Sequence, residues 1–503
     1  MIARDNSLPQ LPESWVWTRL GDIAQVITGN TPSKKDPENY GKDIPFVKPP
    51  ELNDCVITSS EDNLSQKGAA IARVLPPDAV LVSCIGILGK TGISKVTVAF
   101  NQQINAAVFY EGALPKYGFY YSQTLRNWLY GVASATTLPI VNKSRFELAP
   151  VPLPPLPEQQ RIVAKTEELF TKLDAGVGSL KQVKAQLKGY RRAVLKHAFE
   201  GKLTKEWREA RKGEMEPASL LLERIREERK KNAKGKYKEL PPLDTPDLPE
   251  LPEGWIWTSL EELAESERNA IKAGPFGSSL KKEFYVTQGY KLYGQEQVIR
   301  EDPFYGDYYI NDERYAKLKS CAVKPGDMLI SLVGTIGKVL VLPEAIEPGI
   351  INPRLVKFSL EKRLVSNAYI KAYIESSAVR HFFSLLSHGG TMDILNLTIL
   401  KKLPVSLPPL PEQNTIVEEI ERCFSVADAI EKDVEQSLKQ AERLRQSILK
   451  RAFGGKLVPQ DPNDEPAQKL LERIKAEKAK REAEKKAIWR GRKRLNTIQG
   501  RLM

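Results

Sequence analysis

The chain has 503 residues, 41% hydrophobic and 28% charged, and its 76 Lys and Arg against 63 Asp and Glu leave a net charge of +13. That balance excludes a wholly disordered protein, and the basic surplus points to a polyanionic partner. Four cysteines without a CxxC pair and three histidines without ligand spacing exclude a disulfide framework and a zinc site.

No run of about 18 apolar residues is present, so no membrane span is expected. The opening MIARDNSLPQ lacks the apolar stretch of a secretory signal. A reduced, cytoplasmic chain of about three or four units is expected, at roughly 100–200 residues each.

Read in order, the chain repeats itself. Leu11, Pro12, Trp15, Trp17 and Thr18 return as Leu251, Pro252, Trp255, Trp257 and Thr258. Gly86, Gly89 and Lys90 return as Gly334, Gly337 and Lys338, each set after a β-rich run. Pro154, Pro155, Leu156, Pro157, Glu158 and Gln159 return as Pro408 to Gln413. The Ala-Phe-x-Gly-Lys-Leu segments ending at Leu203 and Leu457 match, as do Leu221–Ile225 and Leu470–Ile474. The offset grows between the Trp and Pro-rich motifs, then holds at 254 residues through the following segment. Each half therefore reads as a variable globular domain followed by an element of fixed length.

The variable parts predict short strands at 79–85, 96–98, 328–333 and 339–342, with helices at 117–132 and 367–386. The fixed element predicts a long helix. Ile162, Leu169, Leu173, Leu180, Leu187 and Val194 in the first copy, and Ile416, Ile420, Phe424, Val434 and Ile448 in the second, lie on one narrow seam. Pro157 and Pro411 stand where a helix tolerates proline, with Glu158 and Glu412 in the favourable first turn. Gly176 and Gly178 weaken the first helix locally. A narrow seam of this length wants a partner, and the other copy supplies it. The expected fold is α+β, with two pseudo-twofold-related mixed α/β domains separated by two long helices that form an antiparallel coiled coil.

Catalytic motifs fail on inspection. Gly86–Thr91 resembles the end of a phosphate-binding loop, but the required glycine is Cys84, and Val339 follows Lys338 where Ser or Thr would hold magnesium. A tight β-turn presenting a lysine in both halves is the better reading. No Pro-Pro pair sits in the tetrapeptide of an adenine methyltransferase. Asp247 and Glu250, the nearest approach to a nuclease acid pair, lie in a proline-rich linker. The four motif tryptophans read as core anchors.

The order of these motifs resembles a type I restriction–modification specificity subunit over essentially the whole chain. The resemblance rests on the Trp-x-Trp-Thr openings, Gly29 to Ser33, Gly-x-x-Gly-Lys, Asn101 to Asn105, and the Pro-Pro-Leu-Pro-Glu-Gln helix entrances. It implies target-recognition domains at 1–154 and 250–403, and a conserved helical region at 155–235 that includes a short helix. A Pro-rich linker at 236–249, a second helical region at 404–460 and a basic helical tail at 461–503 complete the order. Each domain would read half of a split site on double-stranded DNA. Two modification (methyltransferase) subunits and the motor/restriction subunits would be partners. AdoMet, ATP and Mg2+ belong to those subunits, with no cofactor, metal or catalytic residue in this chain. A protein-interaction scaffold with an incidental basic surface is the rival reading.

Base edges are read by bidentate Asn, Gln, Arg or Lys, whereas lysines toward phosphates give position. The expected DNA contacts in the first domain are Thr31, Ser33, Lys34, Lys35, Lys90, Asn101, Gln102 and Gln103. In the second they are Ser278, Ser279, Lys281, Lys282, Lys338, Asn352, Arg354 and His388. The second domain departs from the first at 272–279 and 351–354, which implies different half-sites. Residues 466–503 hold thirteen Lys and Arg against four Asp and Glu, so much of the basic surplus lies outside both expected readers.

Overall fold

Apolar runs bounded by Gly, Pro and Asn fold as short strands, and the long seams fold as helices. The computed structural model describes residues 8–134, 137–232, 239–241, 243, 248–386 and 395–499, with backbone alone for 277, 384–386 and 485–499. Four helices organise the chain: α1 (Leu156–Phe199), α2 (Ala218–Asn232), α3 (Leu410–Phe453) and α4 (Ala467–Gln499). Both α1 and α3 have 44 residues, about 66 Å at 1.5 Å per residue. Their equal length is the fixed element anticipated from the constant offset.

The chain forms two compact units, Met1–Leu180 with Gln436–Met503, and Lys181–Glu435. Three or four were expected. The helices explain the difference, because they build no core of their own. In the first unit Ile162 and Phe170 of α1, Leu449 and Phe453 of α3, and Leu470, Leu471 and Ile474 of α4 join Val26, Val80, Val82 and Ile93 in one apolar core. In the second, Val194 and Phe199 of α1, Leu222 and Ile225 of α2, and Ile416 and Ile420 of α3 join Met328, Ile330, Val356 and Phe358. The Leu-Leu-Glu-Arg-Ile repeat is thus explained, since its second Leu and its Ile are buried in each copy.

The first unit contains β1 (Val16–Arg19), β2 (Ala24–Thr28), β3 (Tyr40–Val47), β4 (Cys55–Ile57), β5 (Asn63–Leu64) and β6 (Val74–Leu75). It continues with β7 (Val80–Ser83), β8 (Thr91–Ser94), β9 (Val98–Phe100), β10 (Ile104–Phe109) and β11 (Pro150–Leu153). The main sheet has order β2-β10-β7-β8-β4, a smaller one β5-β3-β9-β6, and β1 pairs with β11. The second unit contains β12 (Ile256–Ser259), β13 (Ile271–Ala273), β14 (Tyr290–Tyr293), β15 (Tyr309–Ile310) and β16 (Met328–Ser331). There follow β17 (Val339–Val341), β18 (Gly349–Ile351), β19 (Leu355–Phe358) and β20 (Pro404–Leu407). Its main sheet is β13-β19-β16-β17, its smaller one β15-β14-β18, and β12 pairs with β20.

Each expected connecting helix is broken in two, at Pro115–Ser122 and Arg126–Val132, and at Asn367–Ile374 and Ser377–Leu386. In the second unit Ser376 starts a new helix by accepting from Val379 N at 3.4 Å.

Glu158 and Glu412 do more than complement a helix dipole. Trp15 Nε1 donates to Glu158 Oε2 at 2.9 Å, and Trp255 Nε1 to Glu412 Oε2 at 2.8 Å. The opening motif of each half is therefore fastened to its long helix. The following glutamine serves the loops: Gln159 Oε1 accepts from Leu114 N, and Gln413 Oε1 from Ser366 N.

Within each unit α1 and α3 run antiparallel. In the second, Lys184 pairs with Glu435 at 2.6 Å and Arg191 with Asp428 at 2.7 Å, so seven residues forward on one helix match seven back on the other. Arg191 also lies 5.8 Å from the Phe424 ring centre. In the first unit Arg445 lies 4.1 Å from the Phe170 ring centre and pairs with Asp174. This Arg-Phe-Asp arrangement is the same device in both copies. The expected weak point at Gly176 and Gly178 is unbroken helix, and a Cβ on either would meet nothing within 4 Å. Gly176→Ala with Gly178→Ala is expected to stabilise the first unit by about 1–2 kcal/mol in all. A higher urea midpoint checks it.

Candidate nucleic-acid interface

Strand direction gathers the candidate residues. Asn105 pairs with Thr28, Ile104 with Ser83, Val82 with Thr91, and Gly92 with Cys55. The end of β2, the start of β10, the end of β7 and the start of β8 therefore share one end of the main sheet. That end carries the loops 29–36, 84–90 and 101–103. At the opposite end Tyr110 N donates to Ile23 O at 3.0 Å, and a few residues on Leu114 N donates to Gln159 Oε1 of α1 at 2.9 Å. In the second unit Ala273 pairs with Val356, Leu355 with Ser331, and Ile330 with Val339. Loops 274–281, 332–338 and 352–354 share one end there as well.

The two ends have the same backbone frame. Asn101 Oδ1 accepts from Gln103 N at 2.8 Å, and Asn352 Oδ1 from Arg354 N at 2.9 Å. Cys84 N donates to Gln103 O at 2.8 Å, and Leu332 N to Arg354 O at 3.0 Å. Gly29 N donates to Ile104 O at 3.1 Å, and Gly274 N to Leu355 O at 2.9 Å. A Cβ on Gly29 would lie 2.1 Å from Asn101 O, and one on Gly274 1.8 Å from Asn352 O. Only glycine permits that approach. Asn101 and Asn352 are hence equivalent turn-formers, and Gln103 and Arg354 occupy one position with different side chains. The sequence set 351–354 against 101–105, but the register that puts Gln103 opposite Arg354 comes only from the fold.

The Gly-x-x-Gly-Lys segment is a hairpin turn between antiparallel strands. Gly86 and Gly89 have φ of 77° and 78°, and Gly334 and Gly337 of 71° and 73°. No helix follows it, as a phosphate-binding loop would require. Burial pushes the Cys84 thiol at its base up to about 12.

Electrostatics differ between the ends. Lys34 and Lys35 are exposed, and among the described residues no acid lies within 4.0 Å of either. The neighbouring Asp36 and Glu38 are instead taken by Lys67, at 2.9 and 2.6 Å. The Lys67 ammonium holds the Asp36 carboxyl below its usual range. Thr31 Oγ1 donates to Gln102 Oε1, and the Ser33 hydroxyl accepts from Lys35 N at 3.3 Å. Lys90 is half-buried in its turn. Its counterpart Lys338 lies 3.7 Å from both Glu301 and Glu375. Lys371, and then Lys338, hold the Glu301 carboxyl below its ordinary value.

Ser278 and Ser279 form a short turn, with Ser279 N donating to Phe276 O at 2.8 Å, and Lys281 and Lys282 follow it exposed. His388 lies outside the described residues. Sequence reasoning missed three groups at these ends. Arg73 N donates to Asn30 Oδ1 at 2.7 Å, and its guanidinium donates to Thr28 O. Arg126 Cα sits 3.1 Å from where a Cβ of Gly89 would stand. Gln295 Nε2 donates to Ser331 Oγ at 2.8 Å. No spacing rule points to them, because they reach the loops from another loop (Arg73) and from two helices (Arg126 and Gln295).

Among the described residues no group of three His, Cys, Asp or Glu could hold a metal, and no helix is long and apolar enough to cross a membrane. Such a molecule is a duplicated α+β protein, each unit offering one loop-bearing sheet end and braced by stretches of two long helices. The chain belongs to the family defined by the type I restriction modification DNA specificity domain, which matches residues 12–188 and 252–440.

The chain is 25% identical over 494 residues to the type I restriction enzyme EcoBI specificity subunit of Escherichia coli, covering 94% of each chain. It is 25% identical over 507 residues to the EcoKI specificity subunit of Escherichia coli K12, covering 94% of this chain and 97% of that one. Among solved structures, the HsdS subunit from Thermoanaerobacter tengcongensis matches with a TM-score of 0.52 at 19% identity, over 90% of this chain and 99% of that one. A chain from a type I R-M system, solved in work on its complex assembly and conformational transition, matches with a TM-score of 0.59 at 19% identity. It covers 89% of this chain and 100% of that one. These structural likenesses concern the fold.

Proposed function

We propose that the chain is the DNA-reading subunit of a type I restriction–modification complex. Each unit reads one half of a bipartite duplex through the loops at its sheet end. One observation carries this reading: the two ends share their backbone hydrogen bonds and differ in side chains, Gln103 against Arg354 and Thr31 against Phe276. A fixed frame with exchanged polar groups is what reading two different half-sites requires. The chain itself is non-catalytic and cytoplasmic. It places two modification (methyltransferase) subunits, which bring AdoMet, and motor/restriction subunits, which bring ATP and Mg2+.

The test is fluorescence anisotropy of the full chain, with its modification subunit, on a library of bipartite duplexes. Preference for one pair of half-sites at one spacing is expected, and binding blind to sequence would assign the chain to the scaffold class. Lys34→Ala with Lys35→Ala is expected to weaken binding on every duplex alike. The slope of log affinity against log salt should fall by about two, since each phosphate contact contributes about 0.9. An unchanged slope would place both lysines away from DNA.

A further inference from the structure

We propose that Phe276 is an apolar wedge by which the second unit enters the base stack of its half-site; this rests on the reading of the sheet end as the DNA-facing surface. Phe276 is 88% exposed, the highest value among the described large hydrophobic residues. Single exposed apolar residues are common on protein surfaces, so exposure alone decides nothing. Its mounting is what matters.

Two residues before the ring, Gly274 is packed against the Asn352 carbonyl so closely that no Cβ fits. Four residues after it, Leu280 is buried with Leu292 and Leu355. Between these anchors Pro275 restricts the backbone, and Ser279 N closes a turn on Phe276 O at 2.8 Å. The turn is thus held at both ends and displays one aromatic side chain outward.

Its neighbours decide the partner. Ser278, Lys281 and Lys282 are exposed beside it, and the Asn352–Arg354 turn lies against the loop's base. Lys281 pairs with exposed Glu283 at 3.7 Å, so the net positive charge of the rim rests on Lys282 and the exposed Arg354. Such a rim around a single ring suits a polyanion with stacked flat bases. Apolar side chains inserted between base steps are a known way for proteins to unstack and bend a duplex. In the first unit the position two residues after the equivalent glycine is Thr31, whose hydroxyl instead donates to Gln102. The wedge therefore belongs to the second reader alone.

The experiment uses the full chain assembled with its modification subunits, on the bipartite duplex that the wild type selects from a random library. 2-Aminopurine is placed at each position of the second half-site in turn. Wild type is expected to raise fluorescence at one step by unstacking it. Phe276→Ala should abolish that rise and bind about tenfold more weakly, the loss of one buried aromatic contact. An abasic site at the same step should tighten wild-type binding and leave that of Phe276→Ala unchanged, because only the ring incurs the unstacking cost that the lesion removes. Phe276→Trp should keep both binding and the rise.

Tight binding by Phe276→Ala to the intact duplex, or no fluorescence change anywhere in the second half-site, would overturn the wedge. So would weakened capture of the modification subunit at unchanged DNA affinity, which would assign the ring to a protein contact. A wild-type protein without any duplex preference would remove the DNA-reading function itself, a separate failure.

Discussion

Replacing Glu412 with leucine is expected to destabilise the second unit by about 3–5 kcal/mol, the cost of leaving a buried or half-buried charge without its partner. Glu412 is fully buried and accepts from Trp255 Nε1 at 2.8 Å, Thr204 Oγ1 at 2.7 Å and Arg208 Nη1 at 2.6 Å. The Arg208 side chain is only 16% exposed, so water cannot fully replace the carboxylate. The matching glutamate of the first half gives the control. Glu158 accepts from Trp15 Nε1 at 2.9 Å and Gln460 Nε2 at 2.5 Å, both neutral donors. Burial raises the Glu158 carboxyl above its ordinary value. A folded-state value above the unfolded one means that its charged form opposes folding, a penalty relieved as pH falls through that raised value to the ordinary carboxylate one. Glu158→Leu should therefore cost about 1–3 kcal/mol, the range for buried donors left unpaired. Urea melts of each variant check the difference. Equal costs would show that Arg208 adds nothing.

The two glutamates also mark how far the sequence could be read. Their place at the start of a long helix followed from Pro157 and Pro411, and the helix lengths followed from the constant offset. That each one grips the tryptophan of its own opening motif was not legible. The partners are 143 and 157 residues apart, and no periodicity links them. The division into units was hidden for the same reason. The seams of α1 and α3 were visible, but their burial among strand residues such as Val82 and Ile330 depends on tertiary packing.

At the candidate interface the loops were legible and their frame was not. Glycines and polar residues marked 29–36, 86–90, 101–103 and 274–282, because turns need those residue types. Which sheet end they share depends on strand direction, which composition does not encode. Lys90 and Lys338 were indistinguishable as motif residues. Only the fold brings Glu301 and Glu375 to one of them, leaving the pair unequal in charge.

The largest functional effect is expected from the helices. Taking α1 and α3 as the spacer between readers, a four-residue insertion after Leu173, matched by four residues after Arg445, lengthens both strands of the pair together. Asp174 and Arg445 stay on the same side of the insertion and keep their ion pair. The Arg445–Phe170 contact is lost, at about 0.5–1 kcal/mol, which is small against the stability of a unit. One helical turn of four residues adds about 6 Å and about 40° beyond a full rotation. A base pair adds about 3.4 Å and about 34°, at roughly 10.5 base pairs per turn. Angular phase therefore favours one extra base pair, while length favours nearly two. Half-site recognition fixes which groove face each loop meets, so phase should dominate. The variant is expected to prefer a spacing one base pair longer, with the half-site sequences unchanged and the original spacing bound at least tenfold more weakly, a difference of about 1.4 kcal/mol. Selection from a duplex library with randomised spacing measures this. Altered half-sites at an unchanged spacing would mean that the helices do not set the distance between the readers.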